Sequence, residues 1–152
     1  MRPSDEIAAY GALLEKLAQS YKSQMMNVCR VEDLTPPQFF ALHAIREHGA
    51  SKMSPLAEHL GLSMGAASTL IDRLVSRGLV QRVSDPQDRR AVHVSLTEKG
   101  QAVLANAQER RRELMRQVFL RLAPESRQQV LRGLGALVEA WESLPTDPCK
   151  PS

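Results

Sequence analysis

The spacing of apolar residues changes at Gly78, and this change limits the folds open to the chain. Before Gly78, apolar residues recur every three or four positions, which is typical of amphipathic helices. After it, residues 79–83 and 91–96 have the alternating pattern of strands. The polar segment between them contains Asp85 and Pro86, which together are a turn signal. The pattern therefore predicts helices followed by a β-hairpin with an extended, charged tip.

Two short helices are predicted directly before the hairpin, over residues 54–78. Ser54-Pro55 and Ser63 are typical of helix starts, and Gly61 and Gly78 of helix ends. The arrangement indicates a helix-turn-helix whose second helix can approach base edges in a major groove. The candidate DNA contacts here are Ser63, Gly65, Ala66, Ser68, Thr69, Asp72, Arg73 and Arg77. The alternative is an ordinary αα-hairpin whose polar face is only solvated.

The tip of the predicted hairpin carries Arg89 and Arg90, which suit insertion into a narrow minor groove. Asp88 lies two residues before Arg90, close enough to orient its guanidinium group. A helix-turn-helix followed by such a hairpin is the order expected of a winged-helix module. The alternative is a solvated turn in which carboxylates and arginines neutralise one another.

Amphipathic helices are also predicted on both sides of this module. Residues 5–30 form an apolar stripe at helical spacing, and at ~1.5 Å per residue that helix reaches nearly 40 Å. Thr35 and Gln38 form a capping box for a helix that ends before Gly49. Thr97 is expected to cap a helix reaching Leu122, and Pro124 to open the last one. Such long apolar stripes need a surface that a partner subunit could supply in part.

Composition excludes several classes of protein. The chain has 152 residues, 43% apolar and 24% charged, which suits one globular domain. Its two cysteines argue against a disulfide scaffold, and no apolar run approaches the ~18 residues of a membrane span. A secretory signal is not expected. We therefore expect the protein to lie in the cytoplasm and to have no membrane partner. Residues 100–121 carry five positive and two negative side chains, a mild indication of a polyanionic partner.

Several stretches together resemble the signature of MarR-type transcriptional regulators. They are residues 79–82, 85–91 and 94–100, together with Leu34-Thr35, Gln38-Phe39, 71–74 and 77–80. The match covers nearly the whole chain. The resemblance implies a homodimer with a winged helix on each subunit, bound to double-stranded DNA at a pseudo-palindromic operator. It further implies a repressor that is released by a small phenolic or anionic effector.

The resemblance also suggests a role for individual residues. Asp88 and Arg90 match the wing-tip pair of the family, with Arg90 entering the minor groove. Arg73 and Arg77 are expected to meet phosphates, and Ser68 and Thr69 to face the major groove. Many members have arginine where this chain has Thr69, so the usual arginine–guanine contact is in doubt there. Recognition is expected to depend more on the wing and on DNA shape.

The expected fold is therefore mainly α with a small β-hairpin wing. Residues 35–99 are predicted to form the winged helix-turn-helix DNA-binding domain. Residues 1–34 and 100–145 are predicted to form a helical dimerisation region, and 146–152 a disordered tail. An effector pocket is expected where the first, second and fifth helices meet the winged helix. Its predicted lining is Met25, Phe39, Phe40 and His43.

Other readings of the chain remain open from sequence. Cys29 could act as a redox sensor, although a lone cysteine is more often a small buried apolar residue. A dimeric interaction module without DNA binding is a second rival. The four histidines do not form a ligand set, so no metal or other cofactor is expected. No nucleophile with a base, phosphate loop or paired carboxylates is recognisable, so an enzyme is not expected.

Overall fold

The computed structural model describes residues 2–49 and 51–145, so the predicted tail at 146–152 lies outside the described residues. Six helices and three strands lie along the described part of the chain. They are α1 (Pro3–Arg30), α2 (Pro36–His48), β1 (Ser51–Lys52), α3 (Met53–His59), α4 (Met64–Ser76), β2 (Val80–Ser84), β3 (Val92–Leu96), α5 (Glu98–Arg121) and α6 (Pro124–Glu142). The strands form one antiparallel sheet in the order β1-β3-β2. The predicted, mainly helical fold with a β-hairpin is confirmed.

Contacts divide the chain into two units whose boundary lies within α5. The first unit is Met1–Arg111 and holds α1 to α4, the sheet and the first half of α5. The second is Arg112–Ser152, and its described part holds the rest of α5 and α6. The predicted DNA-binding and dimerisation regions are a functional division, which stays a prediction.

The helix ends follow from local chemistry. The Thr35 hydroxyl accepts the N–H of Gln38, and the Gln38 amide oxygen accepts the N–H of Thr35, which completes the predicted capping box of α2. Gly61 ends α3 with a φ of +64°, and Gly78 ends α4 with a φ of +69°. After Gly78, the N–H of Leu79 donates to the carbonyl of Leu74, as in a Schellman motif. The predicted ends of these helices are confirmed.

The start of α3 differs from the prediction. The helix begins at Met53 with Lys52 as its N-cap residue, so Ser54 and Pro55 lie inside the first turn. Proline fits there because the first N–H groups of a helix have no intrahelical acceptor. Residues 51 and 52 pair with β3 as the short strand β1, which was not predicted.

The core of the first unit joins α1, α2, α4, the sheet and α5. Its largest fully buried side chains are Met25, Cys29, Phe39, Leu42, Ile45, Ile71, Leu74, Leu79, Val80, Val94 and Leu104. The start of α5 lies directly against the backbone that leads into β2, because a Cβ on Gly100 would overlap the carbonyl oxygen of Leu79. The Thr97 hydroxyl caps α5 by accepting the N–H of Gly100 and donates to the carbonyl of Gly78. These contacts fix the hairpin relative to the end of α4.

The second unit is stabilised where α5 turns into α6. The Arg127 guanidinium donates to the carbonyls of Leu120 and Leu122 and lies 5.8 Å from the centre of the Phe119 ring. No residue of α6 is buried in the chain. Its exposed apolar side chains are Leu131, Leu134, Val138 and Trp141. Along the described part of the chain, no helix has the length and apolar character needed to span a membrane.

Candidate nucleic-acid interface

One side of α4 and its N-cap is exposed, and we call it the outer face. It consists of Ser63, Gly65, Ala66, Thr69, Asp72 and Arg73. The opposite side buries Ala67, Ile71 and Leu74 in the core. The helical period therefore places six of the eight predicted residues on one accessible surface, with Ser68 and Arg77 half-buried beside it.

Two hydroxyl groups of the outer face already have partners within the helix. The Ser63 oxygen accepts the N–H of Ala66 at 3.2 Å as the N-cap of α4. The Thr69 hydroxyl donates to the carbonyl oxygen of Gly65 at 3.0 Å. Thr69 can consequently offer a nearby base an acceptor oxygen and a methyl group more readily than a donor.

The two arginines at the end of α4 have different surroundings. Arg73 is exposed on the outer face. The Arg77 guanidinium donates to the carbonyl oxygen of Asp33 at 2.6 Å and lies 3.4 Å from the side-chain oxygen of Gln38. It also lies 3.6 Å from the Asp33 carboxylate. Arg77 thus links α4 to the connection between α1 and α2, and its predicted phosphate contact stays a prediction.

The hairpin is joined to the outer face by an ion pair that sequence reasoning missed. The Arg82 guanidinium of β2 lies 2.5 Å from the Asp72 carboxylate of α4. Both side chains are exposed, at 39% and 58%. No local pattern signals this pair, because it depends on how the hairpin packs against a separate helix. Met64, the first residue of α4, is also exposed, and it was not among the predicted DNA contacts.

The loop between β2 and β3, which we call the wing tip (residues 85–91), is organised by Asp85. One oxygen of its carboxylate accepts the N–H groups of Gln87 and Asp88, and the other lies 2.8 Å from Nε2 of His93. The hydrogen bond with His93, followed by the backbone N–H of Gln87, holds the pKa of Asp85 below its ordinary value. Asp85 therefore stays ionised at neutral pH and connects the tip to β3.

Asp88 orders the arginine end of the wing tip differently from the prediction. Its carboxylate accepts the backbone N–H of Arg90 at 3.0 Å, whereas the sequence suggested a contact with the Arg90 guanidinium. An aspartate commonly bonds the backbone two residues further along, which explains the difference. The side chains of Arg89 and Arg90 are exposed.

The four residues predicted to line an effector pocket divide into two pairs. Phe40 and His43 line a groove of about 510 Å³ together with Lys22, Pro36, Pro37, Ala44, His59, Leu60, Leu62 and Leu70. Met25 and Phe39 are instead buried in the core and do not line this groove. Successive residues of a helix point about 100° apart, so Phe39 and Phe40 face different surroundings.

The environment of Cys29 opposes the redox alternative. Its side chain is fully buried, and burial raises the pKa of the thiol. Because the thiolate is the species that reacts with oxidants, a raised pKa and a lack of access both slow the reaction. Within residues 2–49 and 51–145, no group of three or more His, Cys, Asp or Glu side chains could hold a metal ion.

A helix-turn-helix followed by a β-hairpin, with both joined through Arg82 and Asp72, defines a winged-helix protein. The sequence profile of the MarR family matches residues 34–92. The HTH-type transcriptional regulator YfiV of Bacillus subtilis is 34% identical over 111 residues, which cover 73% of this chain and 69% of that protein. The chain belongs to the MarR family of transcriptional regulators.

Two further relatives match over almost the full length of the chain. The transcriptional repressor MdtR of Bacillus subtilis is 27% identical over 144 residues, which cover 94% of this chain and 93% of MdtR. The crystal structure of a cysteine-to-serine mutant of Escherichia coli MarR with operator DNA has a TM-score of 0.75 and 27% identity. That alignment covers 95% of this chain and 100% of the other.

Proposed function

We propose that this chain is a homodimeric repressor that binds a pseudo-palindromic operator through the outer face of α4 and the wing tip. The observation that carries the proposal is the exposed small, polar and basic surface of α4, joined by Arg82 and Asp72 to a hairpin that ends in two exposed arginines. The outer face enters a major groove, and Arg90 enters the adjacent minor groove. Similarity to a MarR protein solved with operator DNA supports this arrangement.

Affinity and specificity come from different contacts in this proposal. Arg73, Arg89 and Arg90 supply most of the attraction to phosphates, which makes binding strongly dependent on salt. The short side chains of Gly65 and Thr69 let the backbone of α4 approach the bases but offer no bidentate contact to guanine. Much of the specificity therefore depends on groove width and on DNA deformability at the wing.

Exposed apolar surface supports dimerisation. In the N-terminal part of α1, Ile7, Leu13 and Leu17 are more than half exposed. In the second unit, apolar side chains along α6 are also exposed within the chain. Apolar stripes of this kind mark protein interfaces. Two-fold pairing places two α4 helices about one turn of DNA apart, roughly 34 Å.

The groove beside α2 is the proposed effector site. Its volume lies within the range of small-molecule sites, and its lining combines the Phe40 ring with the cationic Lys22 and the imidazole of His43. This chemistry suits a phenolic or anionic effector. Such a ligand releases DNA only if it binds the DNA-free conformation more tightly than the DNA-bound one.

A DNA titration tests the proposal. The purified protein is titrated with DNA from immediately upstream of its own gene and with an unrelated fragment, at two salt concentrations. Preference for the upstream fragment that persists at the higher salt supports specific regulation. Equal and steeply salt-dependent binding to both fragments indicates attraction by counterion release alone. No binding to either fragment would favour an interaction module instead.

The same assay tests the wing. Arg90→Ala is expected to weaken operator binding by roughly tenfold or more, since a groove contact contributes on the order of 1–3 kcal/mol. Arg132→Ala, which removes the same charge from an exposed position on α6, is the matched control. Both variants should unfold at the wild-type temperature. Affinity of Arg90→Ala equal to that of the control would refute this role of the wing.

A further inference from the structure

We propose that His93 is a positioning residue of the wing, whose imidazole holds the Asp85 carboxylate and thereby sets the conformation in which Arg90 is presented to DNA. The part concerning DNA rests on the proposed function above. His93 lies on β3, outside the wing tip, and none of the DNA contacts inferred from the sequence includes it.

A continuous series of contacts leads from His93 to Arg90. Nε2 of His93 lies 2.8 Å from one oxygen of the Asp85 carboxylate. The other oxygen accepts the N–H groups of Gln87 at 2.7 Å and Asp88 at 3.3 Å. The Asp88 carboxylate in turn accepts the N–H of Arg90 at 3.0 Å. The first link joins two side chains, and each of the others joins a carboxylate to a backbone N–H further along the loop. The position of Asp85 therefore constrains the backbone from Gln87 to Arg90.

His93 is the fixed end of this series. It lies in the middle strand of the sheet, where its register partners are Val83 on β2 and Lys52 on β1. Asp85, by contrast, belongs to the loop that follows β2. A side chain on a strand paired at both edges can therefore hold a loop residue in place. The strand does not depend on the loop residue for its own position.

The surroundings of the pair strengthen the contact. The side chains of His93 and Asp85 are only 21% and 22% exposed. A hydrogen bond to an ionised carboxylate is stronger than one between neutral groups, and partial exclusion of water strengthens it further. The lowered pKa of Asp85, for which the contact with His93 is the largest cause, agrees with this geometry.

The second ring nitrogen of His93 indicates that packing alone does not explain why a histidine occupies this position. Nδ1 is buried, and within the part of the chain that the structure describes no group hydrogen-bonds to it. A buried polar atom without a partner is destabilising, and an aliphatic side chain in this strand would avoid that penalty. The contact between Nε2 and Asp85 offsets it.

Ordering of the tip affects DNA binding through conformational entropy. A loop that already has its bound conformation loses less freedom on association than a loop that samples many. Removing the His93 contact leaves both arginines in the chain but broadens the distribution of their positions. The expected result is a weakening of operator binding on the order of tenfold.

Two variants separate the hydrogen bond from packing. His93→Leu keeps an apolar side chain of similar bulk on β3 but cannot bond Asp85. His93→Gln offers an amide N–H at about the distance of Nε2. We expect His93→Leu to weaken operator binding and to speed amide hydrogen exchange at Gln87 and Arg90, and His93→Gln to restore most of both. In a background of Arg90→Ala, His93→Leu should weaken binding little further, because its effect acts through Arg90.

The exchange measurement uses the free protein, so it separates failure of this inference from failure of the proposed function. Unchanged exchange at Gln87 and Arg90 in His93→Leu would overturn the inference, whatever the DNA titration gives. Faster exchange with wild-type affinity would overturn it as well, because the ordered tip would then contribute nothing to binding. A wild-type protein that binds no operator would instead refute the proposed function.

Discussion

The Arg77 guanidinium donates a hydrogen bond to the main-chain carbonyl of Asp33, with 2.6 Å between nitrogen and oxygen. Asp33 has a φ of +53°, in the left-handed region that aspartate enters more readily than most residues other than glycine. The backbone carbonyl of Arg77 in turn accepts the ammonium group of Lys99 at 3.1 Å. The end of α4 is thus held between the α1–α2 connection and the start of α5.

We therefore expect replacement of Arg77 by alanine to affect stability, and replacement of Arg73 by alanine to affect DNA binding. Arg77→Ala should lower the free energy of unfolding by about 1–2 kcal/mol, because the Asp33 carbonyl loses a charged donor. Arg73→Ala should leave stability unchanged and reduce the salt dependence of DNA binding by about one counterion. Thermal unfolding and DNA titrations at several salt concentrations measure both effects. Equal unfolding temperatures for the two variants would contradict this assignment.

Gly100 is required by the close approach of α5 to the hairpin. In Gly100→Ala the new methyl group would overlap the carbonyl oxygen of Leu79, a backbone atom that cannot rotate away. We expect a loss of about 1–3 kcal/mol of unfolding free energy. Gly65→Ala is the control. Apart from its chain neighbours and the adjacent backbone of α4, no atom in the described part of the chain lies within 4 Å of its Cβ position, and alanine in place of glycine favours a helix by at most about 1 kcal/mol. Chemical denaturation of both variants would reveal the difference, and equal stability would argue against the contact.

The pKa of Asp85 predicts how the wing tip responds to acid. Because the folded pKa lies below the unfolded one, the contacts contribute stability that is fully present above the unfolded value of ~3.9 and is lost as the pH falls through the folded pKa. An NMR titration of the carboxyl carbon should show Asp85 ionising below ~3.9. In His93→Leu its pKa should move up towards that value. Titration of wild-type Asp85 at or above the ordinary value would refute this prediction.

Features that depend on short stretches of sequence were predictable. The capping box of Thr35 and Gln38, the glycine ends of α3 and α4, and the exposed outer face all follow from neighbouring residues and from helical periodicity. Backbone hydrogen bonding and the 3.6-residue period act over only a few positions. Predictions based on them therefore require no knowledge of the remaining chain.

Contacts between distant segments were not predictable. The pairing of β1 with β3, which moves the start of α3 to Met53, is a tertiary contact of only two residues. The Arg82–Asp72 pair depends on packing of the hairpin against α4, and the Arg77–Asp33 contact on a connection 44 positions earlier. The different environments of Phe39 and Phe40 were also not predictable, because the periodicity of α2 does not determine which side of the helix packs against the core.

Cys29 is expected to be unreactive in the folded protein. Its thiol is fully buried and has a raised pKa, so little thiolate forms and no oxidant reaches it. Cys149→Ser leaves Cys29 as the sole cysteine of the chain, and its reaction with a thiol reagent can be followed in native protein and in denaturant. We expect rapid modification only after unfolding, and operator binding that peroxide does not alter. A fast native reaction, with loss of DNA binding that Cys29→Ser abolishes, would instead establish a redox switch.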